Sequence, residues 1–153
     1  MERDDVTIDT RVRRPGRGAQ SNGAGRFEAQ TRTFENDGWD REDEETVLRT
    51  TVTVERPRSI ISYNRSPDLS FDRAINPYRG CEHGCIYCFA RPSHAWLGMS
   101  AGLDFETKLV ARPDAARVLE VELRKPGYMP ATMAIGTNTD PYQPIEKKHG
   151  IMR

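Results

Sequence analysis

The chain has no excess of charge: 23 Lys and Arg balance 23 Asp and Glu. A balanced chain has no global field to steer it toward a polyanion or a membrane surface. It also lacks an apolar run long enough to span a bilayer and an apolar stretch near Met1 of the kind a secretory signal needs, so a cytoplasmic location is expected. Large apolar side chains are scarce through residue 50. Cysteine is equally sparse: Cys81, Cys85 and Cys88 are the only three, all within eight residues. An odd number at this spacing excludes a closed disulfide framework and suits a reducing compartment and a metal.

What is present is polar: of 153 residues, 36% are hydrophobic and 30% charged. Most core-forming residues lie after Ser59, which leaves roughly 95 residues for a folded unit, a size at which one core is feasible but marginal. Residues 1–45 read as a disordered tail, Gly- and Arg-rich and then acidic, without hydrophobic period. Arg11, Arg13, Arg14, Arg17, Arg26 and Arg32 face only Glu28, whereas Glu35, Asp37, Asp40, Glu42, Asp43, Glu44 and Glu45 face only Arg41. The basic stretch suits contact with phosphates, which makes nucleic acid a candidate partner; a solvated tail is the plainer reading. Phe27, Phe34 and Trp39 interrupt the polarity and are candidates to dock on the folded body.

Residues 46–70 form an arm. Thr46–Glu55 is rich in β-branched residues and partly alternating, as an edge strand would be, and Pro57 closes it. Residues 71–153 hold the core. A short strand is expected over 71–77, ended by Pro77 and Gly80; Phe105–Val110 reads as extended. Asp114–Lys125 is a helix, with Ala115, Val118, Leu119 and Leu123 at helical spacing and Pro126-Gly127 as its stop. Residues 131–136 read as a buried strand leading into the polar loop Thr137-Asn138-Thr139-Asp140-Pro141-Tyr142-Gln143-Pro144. Strand, cysteine loop, helix, strand is one βαβ unit, so the class is α/β. In parallel α/β sheets, sites form beyond the carboxyl ends of the strands. Both the cysteine loop and the polar loop follow strands, so both are expected at that end.

Thiolates are soft ligands that suit iron–sulfur clusters and zinc. Three of them at C-x3-C-x2-C can hold three irons of a four-iron cubane and leave the fourth open. Gly80 and Gly84 give the loop freedom to wrap, and Ile86, Tyr87 and Phe89 are candidates for an apolar shell. Three rivals stand beside this. Zinc would need a fourth ligand, with His83, His94 and His149 on hand. A redox dithiol could use Cys85 and Cys88 alone. Three inert cysteines are the blandest case.

The run Asn76-Pro77-Tyr78-Arg79-Gly80-Cys81-Glu82-His83-Gly84-Cys85-Ile86-Tyr87-Cys88-Phe89-Ala90-Arg91 resembles the signature of the radical S-adenosylmethionine enzymes. It is similar in particular to a bacterial branch related to spore photoproduct lyase. Arg58-Ser59-Ile60-Ile61, Leu103-Asp104-Phe105-Glu106-Thr107-Lys108 and Thr137 through Glu146 match that branch too, in order, over about residues 58–146. The resemblance implies that Cys81, Cys85 and Cys88 ligate a [4Fe–4S] cluster whose open iron binds S-adenosylmethionine. It further implies lyase-like chemistry, in which reductive cleavage of S-adenosylmethionine gives a 5′-deoxyadenosyl radical, with flavodoxin or ferredoxin as electron donor. Tyr87 falls where the family contacts the adenine; packing against its own loop is the plainer role.

The family's second strand usually ends in a Gly-Gly-Glu-like segment that holds the cofactor's amino group. Here Thr137-Asn138-Thr139-Asp140 follows that strand instead. Thr137, Asn138 and Asp140 are therefore candidate cofactor contacts, and a turn with Asx-type bonds is the alternative. The implied fold is a partial (β/α)6 barrel, of which these residues make the first βαβ portion. The chain reads as an N-terminal piece of such an enzyme. A small zinc-binding or interaction module is the competing reading.

Overall fold

The computed structural model describes residues 17–19, 22–23, 26–27 and 49–153. The rest of the predicted tail, Phe34 and Trp39 included, lies outside these. The chain is mixed α/β, with two small three-stranded sheets and short helices.

One sheet carries the βαβ unit. Strands β1 (Thr51–Val54), β2 (Ile61–Tyr63) and β3 (Arg73–Ile75) come first, followed by the two-residue β4 (Tyr78–Arg79). A 3-10 helix (Arg91–Leu97), α1 (Leu103–Thr107), β5 (Lys108–Ala111), α2 (Ala115–Leu123), β6 (Met133–Ile135) and α3 (Glu146–His149) complete the order. β3 is the centre of the β2-β3-β6 sheet, antiparallel to β2 and parallel to β6. α2 lies in the crossover between the two parallel strands. Its Ala115 and Val118 meet Ile60, Ile61 and Ile75 in one buried cluster, with Leu119, Tyr128, Met133 and Ile151 against it. Each Val or Ile side chain buried in this way contributes about 1.5–3 kcal/mol.

α2 also buries a charge on its sheet-facing side. The Glu122 carboxylate accepts from Ser59 Oγ at 2.5 Å and from the backbone N–H groups of Ile60 and Ile61 at 2.8 and 3.1 Å. Burial pushes this carboxyl up, but the three donors outweigh it and hold it below the ordinary range. The helix is thereby tied to the chain entering β2.

The second sheet has the order β1-β5-β4, with β1 parallel and β4 antiparallel to β5. The alternating Thr and Val of β1 thus make an edge strand, as the sequence implies. Phe105–Val110 is extended only from Lys108 onward, because Leu103–Thr107 winds into a helical turn first. Tyr78, Leu109, Ala111 and Ile145 form the core there. The Tyr78 hydroxyl donates to Glu146, which also accepts from the N–H groups of Ile151 and Met152 at 3.0 and 2.9 Å. β6 is not the buried strand its composition suggests: Met133 and Ala134 are half-buried and Ile135 is exposed. It is the edge of its sheet, so only one side pairs.

Among the described residues no helix is long and apolar enough to cross a membrane.

Candidate metal centre

β3 and β6 run in register, Ile75 opposite Ile135, so the chain leaves both at the same end. Asn76, directly after β3, binds the first residues after β6. Its Oδ1 accepts from the Asn138 N–H at 2.8 Å and its Nδ2 donates to Thr137 Oγ1 at 3.2 Å. The polar loop then reaches the cysteine loop itself. Thr139 Oγ1 donates to the Gly80 carbonyl at 2.6 Å. Gln143 donates to the same carbonyl at 3.2 Å and accepts from the Glu82 N–H at 3.0 Å. Cys81 thus has the backbone on both sides of it held by one carboxamide. The co-location expected from topology is a hydrogen-bonded fact.

Gly80 and Gly84 both take positive φ, 75° and 59°. Gly80 has a second constraint, since a Cβ there would lie 2.7 Å from the Phe105 carbonyl oxygen and 2.8 Å from the His94 ring. Cys81 is buried with Ala90 and Phe105, and Cys88 packs against the same cluster, whereas Cys85 is exposed. Burial pushes the Cys81 thiol up, partly offset by the N–H groups of His83 and Asp140 that face it.

A buried ion pair sets the shape of the loop. Arg91 donates to the Gly84 carbonyl at 2.9 Å, to the Cys85 carbonyl at 3.1 Å, and to the carboxylate of Glu106. Glu106 is fully buried. Burial raises its pKa, but the Arg91 guanidinium and the N–H groups of Ala19, Gly18 and Arg17 lower it further, and the net position is below the ordinary range.

The predicted site residues divide. Cys81, Thr137, Asn138 and Asp140 come together where the two loops meet. Asp140 uses Oδ1 to accept from the Tyr142 N–H at 2.8 Å, an Asx-type turn, and its Oδ2 stands 3.3 Å from His83 Nε2. Tyr87 is 85% exposed, and Ile86 and Phe89 are 77% and 82% exposed. The apolar shell expected from Ile86, Tyr87 and Phe89 is therefore absent; Phe105 and Ala90 pack on Cys81 instead. His94 is buried, its Nε2 bonded to the Lys108 carbonyl at 2.8 Å, and His149 packs edge-on against Tyr78.

Among the described residues no group of three or more His, Cys, Asp and Glu side chains is drawn together as a ready metal site. In kind, the donor set still fits an iron–sulfur cluster: three thiols on one short loop, two of them in a common apolar cluster and the third open to solvent. Arg91, Glu106 and Gln143 are not among the site residues that the sequence suggests.

These features define a mixed α/β chain with a three-cysteine loop clamped at the carboxyl ends of two parallel strands. No protein-family model and no solved structure matches it. It is 49% identical over 84 residues to an uncharacterized protein of Mycobacterium bovis and to uncharacterized proteins of two Mycobacterium tuberculosis strains. The match takes in 55% of this chain but 25% of each relative. The chain thus spans about a quarter of the length of the curated relatives it matches.

Proposed function

We propose that the chain is the cluster-binding part of a radical S-adenosylmethionine protein, in the branch related to spore photoproduct lyase, acting in a reducing, cytoplasmic setting. The observation that carries this reading is the hydrogen-bonded junction of the three-cysteine loop with the polar loop after β6, through Gln143 and Thr139. Cys81, Cys85 and Cys88 would hold a [4Fe–4S] cluster. The chemistry such a cluster supplies when bound is one-electron reduction of S-adenosylmethionine, with flavodoxin or ferredoxin as the electron source.

This chain's own residues do the rest by position. The Arg91–Glu106 pair holds the Gly84 and Cys85 carbonyls and so anchors the backbone of the loop from which the three thiols would close on a metal. Thr137, Asn138 and Asp140 stand at the junction, where hydroxyl, amide and carboxylate can meet the polar groups of an amino acid. Tyr87, exposed beside Cys88, offers an aromatic face to an adenine. The barrel that would complete the fold, and nucleic acid as a partner of the basic stretch, belong to this proposal as well.

Anaerobic reconstitution with iron and sulfide tests it. About four irons per chain, lost in Cys85→Ala, is the expected result. Stable zinc with no uptake of iron overturns it in favour of a small zinc module.

A further inference from the structure

The described residues of the N-terminal segment do not lie free. Arg17, Gly18 and Ala19 present three successive backbone N–H groups to the Glu106 carboxylate, at 2.8, 3.3 and 2.7 Å. Successive N–H groups converging on one anion form a nest, a strong and directional way to hold a carboxylate. The Arg17 guanidinium adds bonds to the Glu106 carbonyl at 2.7 Å and to Thr50 Oγ1 at 3.1 Å, and stands 3.5 Å from the Glu82 carboxylate.

Further along, Asn22 exchanges two bonds with Asp104: its Nδ2 donates to Asp104 Oδ1, and its Oδ1 accepts from the Asp104 N–H, both at 3.1 Å. The Phe27 ring lies 4.7 Å from that of Trp96. Residue identity matters at Gly18. A Cβ on Gly18 would sit 1.9 Å from the Gly84 carbonyl oxygen and 2.9 Å from Ile86 Cγ2, so the segment reaches the cysteine loop only with glycine there.

We propose that the surface built from Glu106, Glu82, Asp104 and Trp96 is a docking site for this chain's own Arg17, Gly18, Ala19, Asn22 and Phe27. Seated there, the segment is a strap that governs access to the buried Cys81 thiol. The coupling is a continuous chain of hydrogen bonds. Strap N–H groups hold Glu106, Glu106 holds Arg91, and Arg91 holds the Gly84 and Cys85 carbonyls. Unseating the strap removes three donors from Glu106 and opens its carboxylate to water, which weakens the grip of the pair on the loop. Reagents, oxidants and metal donors then reach Cys81 more often, because local opening sets the reactivity of a buried group. The inference does not require that the loop bind iron.

The test is alkylation of the 153-residue, metal-free chain by iodoacetamide, read at each cysteine by mass spectrometry. Exposed Cys85 serves as the internal reference. Gly18→Val cannot seat against Gly84, whereas Gly23→Ala meets nothing within 4 Å and is the control. Gly18→Val is expected to speed alkylation of Cys81 roughly tenfold through more frequent local opening, with Cys85 and the Gly23→Ala chain unchanged. Asn22→Ala, a milder lesion, should give an intermediate rise, and it decides the matter if circular dichroism shows Gly18→Val unfolded. Wild-type rates at Cys81 in a folded Gly18→Val chain, or in Asn22→Ala if that chain must decide, overturn the proposal.

Discussion

The carboxamide of Gln143 donates to the carbonyl of Gly80 across 63 residues of sequence, while its oxygen accepts from the Glu82 N–H. A side chain here does what a neighbouring strand would do, satisfying the backbone on both sides of the first cysteine. Gln143 is 1% exposed, so water cannot readily replace it. Gln143→Ala should lower stability by about 1–3 kcal/mol, the cost of leaving buried polar groups unpaired. Gln143→Glu keeps the acceptor but aims a carboxylate at the Gly80 carbonyl, and should do no better. Urea unfolding followed by tryptophan fluorescence measures both.

Arg91 and Glu106 form the second clamp. Removing one partner of a buried pair strands the other charge, which typically costs about 3–5 kcal/mol. Arg91→Ala should approach that range. Arg91→Lys should not restore the loss, because a single ammonium cannot span the Gly84 carbonyl, the Cys85 carbonyl and the Glu106 carboxylate together. Chemical denaturation of the two variants side by side checks the ordering; equal stability of Arg91→Lys and wild type would refute the fork argument.

Acidification should weaken the fold in two stages. Burial lowers the pKa of His94. Its Nε2 proton goes to the Lys108 carbonyl, and Nδ1 is buried without a partner among the described residues. The charged groups near the ring are Asp104, which favours protonation, and Arg79, which opposes it. The unfolded chain therefore takes up this proton first, and stability drains as pH falls below the ordinary histidine value of about 6.5 toward the lower folded value. Glu106, Glu122 and Glu146 are also depressed in the fold. Their contribution is intact above the ordinary carboxylate value of about 4.5 and is lost as pH falls from there through the folded values. Urea midpoints across pH 3–8 should show both stages, and His94→Phe should flatten the upper one only.

The parts of the fold that repeat were legible. Ala115, Val118 and Leu119 announce α2 because a helix that covers a sheet must place apolar residues on one side. Thr51–Val54 announces an edge strand by alternation. From these, β3–α2–β6 and the meeting of two loops at one end could be deduced. The two-residue β4 and the single turn of α1 could not be, because no local period records elements that short; the extended reading of Phe105–Val110 caught β5 only from Lys108 onward. Glu122 illustrates the limit, a charged residue on the buried side of its helix because Ser59, Ile60 and Ile61 supply donors. Ile135 illustrates the converse, since an apolar strand does not say whether its side is covered. In the site, the thiols were visible by residue type. The clamps that hold them were not, because an amide or guanidinium acquires its role only when the tertiary fold brings carbonyls to it.

Tyr87 separates structure from function most cleanly. At 85% exposed it has little to lose on truncation, and surface substitutions of this kind usually shift stability by no more than about 0.5 kcal/mol. Tyr87→Ala should therefore unfold in urea like the wild type. If the proposed function holds, the same ring stacks on an adenine, and an aromatic contact of about 0.5–1.5 kcal/mol corresponds to a roughly two- to twelvefold weaker Kd. Equilibrium dialysis of S-adenosylmethionine against the anaerobically reconstituted chain reads that loss directly. Phe89→Ala is the paired control: it is 82% exposed and also adjoins Cys88, but the proposed function gives it no contact with adenine. A loss of affinity in Tyr87→Ala alone supports the adenine contact. Equal losses in both variants reduce it to general apolar adhesion, and no loss in either removes Tyr87 from the site.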